Sequence, residues 1–193
     1  MVQQTMDQEA ILRECIKKAS KGDRDAFHSV FNAANDKVFR FLLGQLGDRN
    51  QALDTLQDVF VDLWKGLPRF NWKSEEEFWG FVFLIARRKV YAYRKNEQHR
   101  PVDLDNETLE FLHEATSPEV PEHEDYRTLE NALKKMSRLS SEVISLRYWS
   151  ELSFREIALA TDTTENNAKV RHHRAIKELQ AYLPHAYVEQ RYL

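Results

Sequence analysis

Between Asp23 and Leu46 the apolar residues fall at Ala26, Phe27, Val30, Phe31, Ala34, Val38, Phe39, Phe41, Leu42 and Leu46. This is the three-and-four spacing of an α-helix buried along most of its length. Gly22-Asp23 reads as a stop followed by a cap, and Gly47-Asp48 ends the run in the same way. Residues 7–20 place Ile11, Leu12, Cys15, Ile16 and Ala19 on one stripe. Residues 49–66 carry Ala52, Leu53, Leu56, Val59, Phe60, Leu63 and Trp64, with Gly66 at the end and Pro68 just beyond, where helix C-termini use them. Ser74 and Glu77 form an S-x-x-E capping signature before Phe78. Three or four packed helices are therefore expected up to about residue 97. Five glycines and five prolines in 193 residues disfavour a turn-rich β fold, so the fold class expected is all-α.

Charge divides the chain. Arg87 to Arg100 holds six cations and one acid, a local balance of +5, while Pro101 to Asp125 holds nine acids and no Lys or Arg. That second segment also carries Pro101, Pro118 and Pro121, which is linker composition, although Leu104 to Leu112 has an amphipathic pattern. Two small helical domains joined by an acidic flexible linker follow: residues 1–97, a linker at 98–125, a second domain at 126–183, and a tail at 184–193. In the second domain Tyr126 to Met136 reads as one helix, and Ser137 caps another running to about Tyr148. "SFRE", Ser153 to Glu156, is a capping box opening a short helix. "TDT" follows, and Thr164 caps a longer basic helix. Short helix, tight turn and basic helix make a helix-turn-helix. Asn166 and Asn167 stand in the first turn, where amides pair with bases, and Lys169, Arg171 and Arg174 suit phosphates. Pattern alone leaves open an ordinary helical hairpin with a solvated basic face.

Other classes find little support. The single cysteine, Cys15, excludes an intrachain disulfide and reads as a small packed side chain. "HEAT" at His113 starts like a zinc-protease motif, but Ser117 stands where its second histidine belongs. His172-His173 lacks further ligands at metal spacing, and there is no glycine-rich phosphate loop. No enzyme activity, metal or cofactor is expected. The sequence opens without a basic-then-apolar leader, and its longest apolar run, Phe81 to Ala86, falls far short of the ~18 residues that span a bilayer. A soluble, cytoplasmic protein without membrane insertion is expected.

The stretch "GDRDAFHSVFNAANDKVFRFLLGQLGDRNQALDTLQDVFVDLWKGLPRF", residues 22–70, resembles the second conserved region of the extracytoplasmic-function sigma factors of the sigma-70 family. "ALKKMSRLSSEVISLRYWSELSFREIALATDTTENNAKVRHHRAIKEL", residues 132–179, resembles their fourth region, and "FWGFVFLIARRKV" extends the likeness. The resemblance implies a dissociable subunit of bacterial RNA polymerase. Its first domain would bind core polymerase and read and melt the minus-10 element; its second would read minus-35. It implies that Asp54, Gln57, Asp58 and Asp62 contact the polymerase, the first three lying at i, i+3 and i+4, with Trp64 in the core. It implies that "FNWK", Phe70, Asn71, Trp72 and Lys73, captures a flipped promoter base, although Trp72 folded back on the core is an equal reading. Arg87, Arg88, Arg94 and Lys95 would hold separated strands. Tyr91 and Tyr93 interleave with them and suit base stacking, though only one faces outward with Arg94. Arg155, Asn166, Asn167, Lys169, Val170, Arg171 and Arg174 would face minus-35 DNA.

The resemblance also implies a linker that threads toward the polymerase cleft, and an anti-sigma factor as a further partner. Departures from the family pattern are Asp162 and Glu151 in place of common glycines, His172 where a leucine normally packs, and Ala168 and Val170, which keep the promoter sequence from being carried over. A stand-alone helix-turn-helix regulator and a sigma mimic that sequesters an anti-sigma factor are the competing readings.

Overall fold

The computed structural model describes residues 2–95 and 131–183, with residues 2–8 as backbone only. The acidic linker, its Leu104–Leu112 piece, the first part of the Tyr126–Met136 helix and the tail at 184–193 lie outside the described residues. Among those described, every element is helical: α1 (Val2–Ala19), α2 (Arg24–Leu46), α3 (Arg49–Gly66), a 3-10 turn (Leu67–Arg69), α4 (Glu75–Arg94), α5 (Arg138–Ile144), a π-helical turn (Ser145–Trp149), α6 (Phe154–Ala160) and α7 (Glu165–Tyr182). Residues 131–135 are also helical and lead into α5. None of these helices is long and apolar enough to cross a membrane.

Local chemistry sets the boundaries. The Asp23 carboxylate accepts the Ala26 N–H at 2.9 Å and starts α2. Gly47 ends it in left-handed backbone, φ 70°, with its N–H on the Leu43 carbonyl. The next residue, Asp48, caps α3 by accepting from Gln51 N–H at 2.8 Å. One residue thus closes a helix and its neighbour opens another, which folds α3 back on α2. Ser74 caps α4, whose first turn carries Glu75, Glu76 and Glu77 against the positive end of the helix dipole.

Helix α2 is the central element, with Val30, Ala34, Val38, Phe39, Phe41 and Leu42 all inaccessible to solvent. That follows from its near-continuous apolar surface, on which α1, α3, α4 and the π-turn all pack. Ile11 departs from the stripe expected on α1. It is 64% exposed, whereas Ile16 and Ala19 are buried and Leu12 and Cys15 pack beside them. The contact line runs through Leu12, Ile16 and Ala19, at i, i+4 and i+7, and Ile11 stands about 100° to its side.

The two helical halves pack against each other. One hydrophobic cluster joins α2, α3 and α4 to Leu146, Leu152, Ile157, Ala158, Ala160 and Ala168. A smaller one within the second half holds Leu133, Met136, Trp149, Ala175, Leu179 and Leu183. Where α4 meets α6, a Cβ placed on Gly80 would lie 2.5 Å from Leu159 Cβ, so only a glycine admits this approach. The helix expected from Ser137 to Tyr148 changes register on the way. It is α-helical to Ile144, then π-helical, with Ser150 N–H on the Ser145 carbonyl at 3.1 Å.

Candidate nucleic-acid interface

Thr164 starts α7 by accepting the Asn167 N–H, and Ser153 with Glu156 forms a complete capping box on α6. Between them Asp162 takes left-handed backbone, φ 50°, which aspartate tolerates better than most residues. Ala168, Ala175 and Leu179 point inward. Asn166, Asn167, Lys169, Val170 and Arg174 are exposed and Arg171 is half-buried. Asn167 Nδ2 donates to Thr163 Oγ1 at 2.7 Å, and Lys169 pairs with Glu165 at 2.7 Å one turn back. The result is a basic outer face with amides at its N-terminal end.

His172 does not share that face. Its ring packs against Phe154 and Tyr148, with Nε2 3.1 Å from the Tyr148 hydroxyl. Burial, then the charges of Arg147 and His173, pull its pKa below the ordinary imidazole value. The ring is half-buried there, at the position where a leucine was expected from the resemblance. Arg155 is exposed on α6, 3.9 Å from Glu76 of α4.

The "FNWK" loop joins the 3-10 turn to α4. Phe70 stacks on Phe81, ring centroids 5.1 Å apart, and Trp72 lies 6.3 Å from Phe78 at 30°. The Trp72 indole therefore rests on the core while remaining half-exposed. Asn71 and Lys73 stand out into solvent. They rim a cleft of about 510 Å³ whose apolar floor includes Phe70, Phe81 and Leu84, and whose far wall is Leu159 of α6.

On α4 the cations part company. Arg88 is exposed. Arg87 faces the second half: Nε and Nη2 donate to the two Glu142 carboxylate oxygens at 2.7 and 3.1 Å, and Nη1 to the Ala160 carbonyl at 2.6 Å. Arg94 Nη2 donates to the Gln45 carbonyl at 2.6 Å. Desolvation, then Arg138 close by, lower its pKa. Tyr91 is 41% exposed, its ring flanked by Lys95 at 4.8 Å and Arg138 at 4.6 Å. Tyr93 is half-buried, so Tyr91 is the tyrosine that faces outward.

On α3, Asp54 is exposed, and Gln57 and Asp58 are half-buried beside it. Asp62 is tied to Lys89 of α4 at 2.8 Å. Trp64 packs edge-on against Phe27, 4.9 Å between centroids. Sequence reasoning missed Gly80, Glu142 and Leu159, which shape the meeting of the halves. The one signal was a glutamate inside the apolar run "SSEVISLRYW". Among the described residues no group of three or more His, Cys, Asp or Glu side chains is placed to hold a metal ion.

Comparison with known proteins gives two family matches: Sigma-70 region 2 over residues 30–100, and Sigma-70, region 4 over residues 126–179. Among curated relatives, the ECF RNA polymerase sigma factor BldN of Streptomyces coelicolor is 25% identical over 177 residues, covering 91% of this chain and 67% of that protein. The ECF RNA polymerase sigma factor SigX of Bacillus subtilis is 26% identical over 165 residues, covering 82% and 84%. Among solved structures, CnrH in complex with the cytosolic domain of CnrY shares the fold, with a TM-score of 0.65 at 21% identity over 89% of this chain and 96% of that one.

Proposed function

This chain belongs to the extracytoplasmic-function group of the sigma-70 family, and from that we propose how its residues divide the work of an RNA polymerase sigma factor. As such a factor it binds bacterial core polymerase and directs promoter recognition, DNA melting and transcription initiation. Residues 1–97 serve core binding and the minus-10 element, and residues 126–183 the minus-35 element. Asp54, Gln57 and Asp58 meet the polymerase, with Asp62 at the edge of that strip. Asn71, Lys73 and the half-exposed Trp72 receive an unstacked base over the cleft, and Phe70 supports it from the floor. Arg87, Arg88, Arg94, Lys95 and Tyr91 follow the strand. Asn166 and Asn167 read base edges, and Lys169, Arg171, Arg174 and Arg155 hold phosphates beside Val170.

The acidic linker runs toward the polymerase cleft. The protein performs no catalysis of its own and works in the cytoplasm, where the template is. An anti-sigma factor is its regulatory partner, as the sigma factor RpoE of Bartonella quintana, of the same fold, was solved with the anti-sigma factor NepR.

The observation that carries this assignment is the outer face of α7: exposed amides in the first turn of a helix-turn-helix, followed by cations, with the packing residues turned inward. The test is transcription by core polymerase reconstituted with this chain, with sequencing of RNA 5′ ends. Defined start sites sharing two upstream elements are expected. Sequence-specific duplex binding by the chain alone, with no defined starts, would instead establish a stand-alone regulator.

A further inference from the structure

A second cleft, of about 280 Å³, lies at the other end of α4, where the C-terminal ends of α2 and α4 meet the start of α5. Arg94, Lys134 and Arg138 line it with Gln45 and Ser141, and no aspartate or glutamate does. Two acids adjoin lining residues in sequence, and both are committed elsewhere. Asp48 caps α3 by accepting from Gln51 N–H, and Glu142 accepts from Arg87 through both carboxylate oxygens. The cations are held in place. Arg94 Nη2 donates to the carbonyl of Gln45 at 2.6 Å and to its Oε1 at 3.2 Å. Gln45 is itself buried and donates to Ser145 Oγ at 3.0 Å. Among the described residues, Nε and Nη1 of Arg94 meet no acceptor. Arg138 lies over the Tyr91 ring at 4.6 Å, with Lys95 4.8 Å from the same ring. After desolvation, the charge of Arg138 is the next cause that lowers the pKa of Arg94, so the two guanidinium groups act on each other as like charges.

We propose that this cleft is a binding site for a compact polyphosphate anion, with pyrophosphate as its minimal ligand. A concave surface lined by one sign of charge concentrates ions of the other sign. Guanidinium forks match phosphoryl oxygens, and a lysine adds a mobile point charge. Three cations without a lining acid suit a multivalent anion better than a monovalent one. The volume falls just below the range of about 300–1,000 Å³ usual for drug-sized ligands, which favours a small anion. Arg94 comes from the first half of the molecule, and Lys134 and Arg138 from the second. A bound anion therefore bridges the halves and stabilises the folded chain by linkage. RNA polymerase consumes nucleoside triphosphates and releases pyrophosphate, so anions of this class surround a sigma factor at work. Arg94 is shared with the strand-binding role proposed above. Lys134 and Arg138 have no part in that role, and they carry the test.

The full chain is titrated calorimetrically with sodium pyrophosphate in magnesium-free buffer at constant ionic strength. Sodium sulfate is the matched control, and GTP and a single-stranded oligonucleotide are titrated in parallel. Wild-type chain should bind one pyrophosphate per molecule, more tightly than sulfate. Lys134→Gln/Arg138→Gln should weaken that binding about tenfold or more, the usual worth of a charge-assisted hydrogen bond. Lys17→Gln/Lys18→Gln removes the same charge from exposed positions at the end of α1 and should leave affinity within about twofold, because distant surface charges are screened. Circular dichroism checks that each variant keeps its helix content. If Lys134→Gln/Arg138→Gln does not, Lys134→Gln alone, at an exposed position, takes its place.

No saturable pyrophosphate binding by wild-type chain would overturn the site. So would equal affinity for sulfate, which would reduce it to screening by any divalent anion, or equal losses in the two double variants, which would reduce it to net charge. Oligonucleotide binding that depends on Lys134 and Arg138 more strongly than pyrophosphate binding does would make the cleft a strand contact instead. Pyrophosphate binding that appears only after the acids of residues 103–125 are replaced by amides would make the acidic linker the occupant in place of a free anion. GTP bound more tightly than pyrophosphate would identify the ligand as a nucleotide's phosphate tail, and GTP bound more weakly would identify it as free pyrophosphate; either result supports the site. Promoter-directed initiation enters none of these readouts, so failure of the site and failure of the promoter reading are separable.

Discussion

Asn166 and Asn167 reach solvent because Thr164 fixes where α7 begins and Ala168 fixes which side faces in. That placement separates two kinds of contact. Replacing both asparagines with alanine should remove sequence discrimination, since a bidentate base contact distinguishes bases by roughly 1–3 kcal/mol. Replacing Arg171 and Arg174 should weaken cognate and scrambled minus-35 duplexes alike and reduce the salt slope by about 1 per lost contact. A salt series with both duplexes reads the difference. Unchanged discrimination in the double asparagine variant would remove base readout from these residues. His172 makes a second prediction. Its lowered pKa means that the unfolded chain takes up the proton first, so stability is greatest above the ordinary imidazole value of about 6.5 and falls as pH drops through it. His172→Leu should flatten that acid limb of Tm against pH; an unchanged slope would assign the limb to other groups. The caps of α6 and α7 were legible in the sequence because a cap acts within three residues. The surroundings of His172 were not, because Tyr148 and Arg147 come from another element.

Element boundaries were written in the sequence wherever one residue type has a single physical use. Gly47 is such a case: its left-handed backbone ends α2 and its successor starts α3. Gly47→Ala should cost about 1 kcal/mol and lower Tm by roughly 2–4 °C for a chain of this size, with helix content unchanged by circular dichroism. No loss of Tm would mean that the turn relaxes freely. The π-turn had no such signature, because its i→i+5 register depends on contacts such as that of Ser145 with Gln45, a hundred residues away in sequence. On α3, Asp54→Lys/Asp58→Lys should weaken core-polymerase binding while stability stays within about 0.5 kcal/mol, the usual range for surface changes. Unaltered core affinity would place the docking strip elsewhere.

At the scale of the molecule, the helical composition and the two halves could be read from periodicity and charge, but their packing could not. The decisive contacts are a glycine notch and a carboxylate within an apolar run, and neither has a pattern that names its partner. Because one hydrophobic cluster runs through both halves, calorimetry should show a single unfolding transition whose calorimetric and van't Hoff enthalpies agree. Two resolved transitions would show that each half keeps its own core.

The face between α4 and α6 joins parts of one chain, so its closure is unimolecular. Because the halves belong to one chain, that closure does not depend on protein concentration. A protease cut between residues 96 and 130 would make the same contact bimolecular, and dilution would then loosen it. Cleavage would thus free the α4 face without altering any side chain in it.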